Sequence, residues 1–172
     1  MACVEIPEAL AREIRSRGID IIDLVASAIR DVDPSVIVRA RLELAERYIR
    51  EAEEHAARGD AVQASEKAYK AAEESIKALA EALGTPEAGE ARRSGRWFAW
   101  LLGRAARTLA RRLGEARIRA AWTLAYDIHI WGFHEAKYGI DDIKDDVEEV
   151  KWLLAYARQV VEGLGGRQPG GT

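Results

Sequence analysis

The sequence contains little of what disulfide-rich, membrane and sheet proteins are built from. Its single cysteine, Cys3, cannot form a disulfide within the chain, so we expect a reducing, cytoplasmic compartment. No apolar run approaches the roughly 18 residues needed to span a bilayer, so no contact with a membrane is expected. Four prolines and the lack of alternating β-branched runs argue against a sheet. These absences favour an all-α protein.

Two further deficits concern thermal lability and net charge. Asparagine is absent, methionine occurs once, and arginine outnumbers lysine 20 to 6. This composition is typical of thermophilic proteins, although a GC-rich genome would also favour arginine and alanine. The formal charge of −3 over 172 residues indicates little about partners, and the length predicts one domain with a substantial core.

The clearest pattern that is present is an antiparallel pair of helices. Asp33-Pro34 predicts a capped helix start, Gly59 a left-handed helix end, and Asp60 the cap of the next helix. Apolar residues at steps of three and four define the two inner faces: Val38, Leu42, Ala45, Ile49, Ala52 and Ala56, then Tyr69, Ala72, Ile76, Leu79 and Leu83. Charges that alternate in sign from Glu66 to Lys77 are expected to pair along a neighbouring face.

The rest of the chain divides around this hairpin. We expect a helical N-terminal arm over residues 1–31, an antiparallel helical bundle over 32–164 and a disordered tail over 165–172. A loop is predicted at 84–89, followed by a helix over about 95–113 that Ser94 caps. A helix over 115–131 and an irregular segment over 132–139 follow. Asp141 is predicted to begin the last helix.

Two sequence runs resemble a known family. The run from Gly59 to Leu83 reads GDAVQASEKAYKAAEESIKALAEAL, and the run from His129 to Asp141 reads HIWGFHEAKYGID. Together and in this order they are similar to the archaeal PaREP family. That resemblance implies a helical bundle like that of the HEPN superfamily (higher eukaryote and prokaryote nucleotide-binding), dimeric, with no activity established for the family. It predicts fold much better than function.

Many HEPN proteins are ribonucleases that use an arginine and a histidine separated by four to six residues. The chain matches this spacing at Arg50 and His55, which lie on an early helix and about 140° apart around it. Arg119 and His129 are too far apart in sequence. A HEPN-type ribonuclease or toxin is therefore an alternative to a binding function, and no catalytic residue is assigned.

Residues 92–119 carry nine arginines and one acid, a net charge of +8. Helical geometry places four of the arginines within about 80° of arc, with a tryptophan in the middle. We call this predicted surface the arginine ridge: Arg96, Trp100, Arg104, Arg107 and Arg111. Exposed guanidinium groups beside an aromatic ring are typical of nucleic-acid or other anion binding. Alternatively the arginines pair with the acids of residues 141–149, and the ridge serves assembly.

A second set of polar residues surrounds Gly132. Asp127, His129, His134 and Glu135 are residue types that could line a pocket, bind a ligand or transfer protons. The two histidines are five residues apart and no established metal-binding motif is present, so neither a metal nor a cofactor is predicted. A role in capping backbone groups where the helix breaks at Gly132 is the structural alternative.

The sequence favours a non-enzymatic module that binds nucleic acid, a nucleotide or a partner protein, with a purely structural or adaptor role as a further alternative. A homodimer is expected because four tryptophans lie at or beyond the edges of their helices' apolar stripes. These are Trp97, Trp122, Trp131 and Trp152.

Overall fold

The computed structural model describes residues 4–29 and 32–165 and confirms the all-α class. Within these residues there are eight α-helices, one π-helix and no strand. The elements are α1 (Glu8–Ser16), α2 (Ile21–Ala28), α3 (Pro34–Ala57), α4 (Ala61–Ala82), α5 (Pro86–Ser94), α6 (Ala99–Leu113), α7 (Arg117–Ile128), the π-helix (His129–His134) and α8 (Ile140–Gly165).

The predicted hairpin is formed by α3 and α4, with the caps that the sequence indicates. The Asp33 carboxylate accepts a hydrogen bond from the Ser35 amide at 2.8 Å, and Asp60 accepts one from the Gln63 amide at 3.0 Å. Between the helices, Gly59 has φ of 78°, a left-handed conformation that costs glycine little. Local chemistry thus sets the turn between the two longest helices of the first half.

Helix α4 is the central element of the bundle. It packs against α3 on one side and against α6, α7, the π-helix and α8 on the others. Its buried face is rich in alanine, and Ala64, Ala68, Ala71, Ala72 and Ala78 are fully buried. Small side chains let neighbouring helices approach closely, so a single helix can pack against several others at once.

The second half of the chain completes the bundle around α4. Gly114, with φ of 66°, ends α6 and turns the chain into α7. Helix α8 then packs against α3, α4 and α7. Its buried side chains follow the predicted stripe from Ile143 through Val147 and Val150 to Leu154.

The segment between α4 and α6 differs from the prediction of a loop and a helix that begins near residue 95. Thr85 caps a helix, α5, through its hydroxyl, and Pro86 occupies the first helical position. After Gly95 the chain is extended at Phe98, so α6 begins only at Ala99. The Thr-Pro pair was the signal for this additional helix, and the nearby glycines concealed it.

The N-terminal arm lies against the bundle with little apolar contact. No residue of α1 is buried, and the largest contact of α2 is with α3. Three segments lie outside the described residues: 1–3 and 30–31, at the two ends of the predicted arm, and the predicted tail from residue 166. Gly165, the first residue of the predicted disordered tail, is the last residue of α8.

Candidate functional site

The structure places most of the arginine ridge where the helical geometry predicts. Arg104, Arg107 and Arg111 lie on α6 and are exposed, whereas Leu102, Ala105 and Leu109 on the opposite face are buried. Arg96 is also exposed but does not share this helix, because α6 begins three residues later. The predicted arc of four arginines therefore consists of three on the helix and one on the connection before it.

Arg96 nevertheless joins the ridge, through aromatic stacking. Its guanidinium lies 4.0 Å from the centre of the Phe98 ring, and Phe98 stacks with Trp100 at a centroid distance of 5.8 Å and an angle of 22°. Arg104 lies 5.7 Å from the Trp100 ring. Two cations therefore flank two stacked rings, and Trp100 remains 53% exposed beside these neighbours.

The charges of the ridge are only partly neutralised. Glu90 approaches Arg104 at 3.5 Å, whereas Arg107 donates to the Gly103 carbonyl oxygen and Arg111 to the Thr108 hydroxyl. In the described part of the chain no carboxylate lies within 4 Å of Arg96, Arg107 or Arg111.

The acidic start of α8 does not reach the ridge. Glu149 pairs with Arg117, while Asp141 and Glu148 pair with lysines of their own helix. The assembly role that would pair the acids of residues 141–149 with the ridge therefore finds no support within one chain.

The second predicted set of residues is reorganised by the π-helix. In an α-helix, residues five apart point in different directions, but a π-helix joins residue i to residue i+5 and places both on one side. His134 Nε2 consequently lies 3.1 Å from His129 Nε2, and His129 Nδ1 lies 2.9 Å from a Glu66 carboxylate oxygen. The helix does not break at Gly132, and the imidazoles contact side chains rather than capping backbone groups. We call His129 and His134 the histidine pair.

Packing holds the first histidine in place. The His129 ring stacks on Tyr69 at 3.9 Å and 17°, and on Phe133 at 5.7 Å and 18°. Gly132 lets the π-helix approach α4, since a β-carbon there would lie 2.1 Å from the Ser65 hydroxyl oxygen. Burial raises the pKa of Tyr69, so this ring stays neutral beneath the imidazole.

Asp127 and Glu135 do not join the histidine pair. Asp127 accepts a hydrogen bond from the Tyr138 hydroxyl at 3.0 Å, and Glu135 is exposed beyond the π-helix. Glu66, which sequence reasoning placed on a salt-bridged face, is the acid that contacts His129 instead. Among the described residues, no group of three or more histidine, cysteine, aspartate or glutamate side chains is arranged to hold a metal ion.

A buried charge cluster that sequence reasoning missed fastens the arm to the bundle. Arg41 is fully buried and contacts Asp20, the N-cap of α2, and Asp23 of α2 at 3.1 and 2.6 Å, and Glu74 and Glu81 of α4 at 2.9 and 2.8 Å. Lys77 binds three carboxylates at 2.8 to 3.1 Å. We call the set of Arg41, Lys77, Asp20, Asp23, Glu73, Glu74 and Glu81 the arm clasp.

The carboxylates of the arm clasp titrate differently. Burial opposes ionisation of Asp20, but Lys77 and Arg41 outweigh it and hold its pKa well below the usual range. Burial raises the pKa of Asp23, and it raises the pKa of Glu81 to about 7 against the pull of Arg41. One oxygen of Asp23 and one of Glu81 are buried without a hydrogen-bond partner. Because five acids surround two buried bases, the clasp favours a state in which one of its carboxyl groups keeps a proton.

The residues of the ribonuclease alternative are not brought together. Arg50 is exposed, and the His55 ring contacts Asp60 at 3.4 Å at the turn after α3.

The tryptophans also divide. Trp122 belongs to the core, Trp97 and Trp152 pack partly against it, and Trp131 is 45% exposed. Only part of the apolar surplus that favoured a dimer is therefore at the surface.

A profile of the archaeal PaREP1/PaREP8 family matches residues 40–154, which include α4, the arginine ridge and the histidine pair. The chain belongs to the archaeal PaREP1/PaREP8 family. The arm and its two clasp carboxylates, Asp20 and Asp23, precede the matched region. No curated protein matches the chain.

Two solved structures are similar to this PaREP protein. A crystal structure of a protein from Sulfolobus solfataricus is 36% identical with a TM-score of 0.62, and covers 67% of this chain and 93% of its own. A solution structure of the same target is 37% identical with a TM-score of 0.61, and covers 69% of this chain and 91% of its own. These matches agree with the helical fold. In the described residues, no helix combines the length and apolarity needed to cross a membrane.

Proposed function

We propose that this PaREP protein is a non-enzymatic module that binds single-stranded nucleic acid along the arginine ridge. The observation that carries the proposal is the exposed stack in which Arg96 and Arg104 flank Phe98 and Trp100. The HEPN-like character and cytoplasmic location suggested by the sequence are part of the same proposal.

The stack has the chemistry that an unpaired base needs. Every base has a flat π surface, and stacking on an aromatic side chain contributes about 1–3 kcal/mol per base with little sequence preference. Trp100 offers an exposed ring for such a contact. A duplex keeps its bases stacked on one another, which is why the geometry favours a single strand.

The remaining arginines supply the contacts to phosphate. Arg107 and Arg111 lie one and two turns beyond Arg104 on the exposed face of α6 and have no carboxylate within 4 Å in the described chain. Phosphates along a strand could contact successive guanidinium groups while a base stacks at Trp100. Such contacts release counterions, so affinity should fall steeply as salt is raised.

Fluorescence anisotropy with labelled single-stranded RNA and DNA, at about 50 and 200 mM salt, tests the proposal. Trp100→Ala should weaken binding roughly tenfold or more through lost stacking. Arg107→Glu should weaken it for all sequences and reduce the salt dependence by about one counterion or more. Arg158→Glu changes net charge equally, removes an ion pair with Glu46 on another face, and is the matched control.

Three outcomes would contradict this proposal. The binding function would be rejected if the parent protein showed no salt-dependent binding to either nucleic acid. Equal losses in Arg107→Glu and Arg158→Glu would mean that net charge rather than the ridge attracts the strand. Preference for duplex over single strands would reject the stacking role of Trp100.

We further propose that two copies associate through the arm. An apolar groove of about 250 Å³ is lined by α2 and the start of α3, including Ile21, Val25 and Val36. Val25 is 50% exposed and Val36 43% exposed, and exposed apolar patches favour association. Light scattering should show a dimer, and Val25→Glu should shift it to the monomer; a monomer near 19 kDa at high micromolar concentration would reject this assembly.

A further inference from the structure

The histidine pair has a geometry that the nucleic-acid proposal does not use. We propose that His129 and His134 bind one divalent transition-metal ion between their Nε2 atoms, with Glu66 orienting the first ligand. Borderline ions such as Zn²⁺, Ni²⁺ and Cu²⁺ are the class that two imidazoles select.

The distance between the two nitrogens suits shared coordination. Bonds from zinc to imidazole nitrogen are about 2.0–2.1 Å long. At that length, the 3.1 Å separation of the two Nε2 atoms corresponds to an angle of about 100° at the metal. This lies between the octahedral and tetrahedral angles, so the separation of the two nitrogens suits coordination of one ion.

The contact to Glu66 sets the tautomer that metal binding needs. His129 Nδ1 lies 2.9 Å from the carboxylate, so Nδ1 carries the ring proton and donates a hydrogen bond to Glu66, which leaves the Nε2 lone pair directed toward His134. A carboxylate on the far nitrogen of a coordinating histidine is the usual outer-shell arrangement, and its loss costs 10–100-fold in metal affinity.

In the absence of a metal, the same lone pair accepts a hydrogen bond from His134 Nε2–H. Metal binding requires this proton to move to the other nitrogen of His134, with no change in the charge of the ring. His134 is exposed and can make that exchange with water, whereas His129 is held between Tyr69 and Phe133. His129 is therefore held in position, whereas His134 can change which nitrogen carries its proton when an ion binds.

The chain itself supplies two ligands to this site, because no group of three metal-binding side chains occurs in the described residues. Water would fill the remaining positions, which leaves room for an oxygen of a bound molecule. Such an ion would be exchangeable rather than structural, and the fold would not require it.

Calorimetric titration of the full chain with ZnCl₂, and separately with NiCl₂, tests the site. The parent should bind one ion per chain. His134→Ala should weaken binding at least tenfold, and Glu66→Gln about tenfold or more through loss of the outer-shell carboxylate. The control is His55→Ala, which removes the one histidine of the sequence that lies outside the pair and should leave the affinity unchanged.

The spectrum of bound Cu²⁺ provides a second measurement that does not depend on affinity. Electron paramagnetic resonance should show coupling to two imidazole nitrogens in the parent and to one in His134→Ala. The proposal is overturned if His55→Ala loses as much affinity as His134→Ala, if Glu66→Gln leaves affinity unchanged, or if one ion binds per two chains. Because His134 is exposed, its replacement should leave the circular dichroism spectrum intact.

Discussion

Arginine has opposite surroundings in the arm clasp and on the arginine ridge. Arg41 is fully buried and its guanidinium contacts four carboxylates, whereas the Arg104 side chain is 54% exposed and has one acid nearby at 3.5 Å. A buried guanidinium must satisfy all its donors within the protein, while an exposed one keeps water as a partner that a ligand can replace. Residue type alone therefore does not indicate whether an arginine is available to a ligand. The number of carboxylates around each arginine is the better guide.

The largest expected effect is the loss of the buried arginine. Arg41→Ala removes the partner of four carboxylates and should destabilise the fold by about 3–5 kcal/mol, because breaking a buried ion pair leaves uncompensated charge. Urea denaturation at pH 7 measures this. Arg104→Ala is the comparison and should change stability by less than about 0.5 kcal/mol. Similar losses in the two variants would erase the distinction between clasp and ridge.

Removal of one arm carboxylate should release the arm from the bundle and cost less stability than the loss of Arg41. Asp20 bonds both Arg41 and Lys77, so Asp20→Asn should cost about 1–3 kcal/mol while the amide still caps α2. Limited proteolysis should cut within the arm faster than in the parent. Asp33→Asn, a helix cap without a clasp contact, should leave arm cleavage unchanged. An arm that is equally protected in Asp20→Asn would mean that apolar contacts hold it.

The pH dependence of stability should also come from the clasp. The pKa of Glu81 is raised to about 7 from 4.5, so the folded chain holds a proton that the unfolded chain has lost. Stability should therefore be highest near pH 5 and fall by roughly 1–3 kcal/mol as the pH rises to 8. Asp20 and Glu73, whose pKa values are lowered, lose their contribution only in stronger acid.

Glu81→Gln is the variant that isolates this effect. It should flatten the stability profile between pH 5 and 8 in urea denaturation series. A profile with the same slope in parent and variant would assign the pH dependence to another group.

The smallest effect on stability is expected on the ridge. Arg107→Ala combined with Arg111→Ala removes only contacts to a backbone carbonyl and a hydroxyl on the same helix, so the thermal midpoint should stay within about 2 °C of the parent. The double variant should at the same time lose most of its affinity for single strands. A large fall in the midpoint would show that the ridge has a structural role after all.

Much of the fold was predictable because its signals are local. Asp33-Pro34, Gly59 and Asp60 mark the α3–α4 hairpin, and apolar steps of three and four identify the buried faces. The exposure expected for the ridge followed from the same periodicity. Helix α5 was missed because Gly84 and Gly89 read as a loop, although Thr85-Pro86 is a good helix start.

The sites were less predictable because they depend on contacts distant in sequence or on rare backbone geometry. Glu66 and His129 are 63 residues apart, and no local pattern predicts the π-helix that brings His134 to them. The clasp did leave a trace, since Glu74, Lys77 and Glu81 recur at steps of three and four on one face of α4. Their burial could not be read from the sequence, where alternating charges suggest a solvated face.

The charge balance of the clasp bears on how the arm and the bundle are related. Without the arm, Arg41 and Lys77 still face Glu73, Glu74 and Glu81, and Lys70 pairs with Glu73, so three bases meet three acids. The arm adds two further acids to a centre that is already neutral. The arm therefore changes this buried centre from a balanced set of charges to one with an excess of two acids.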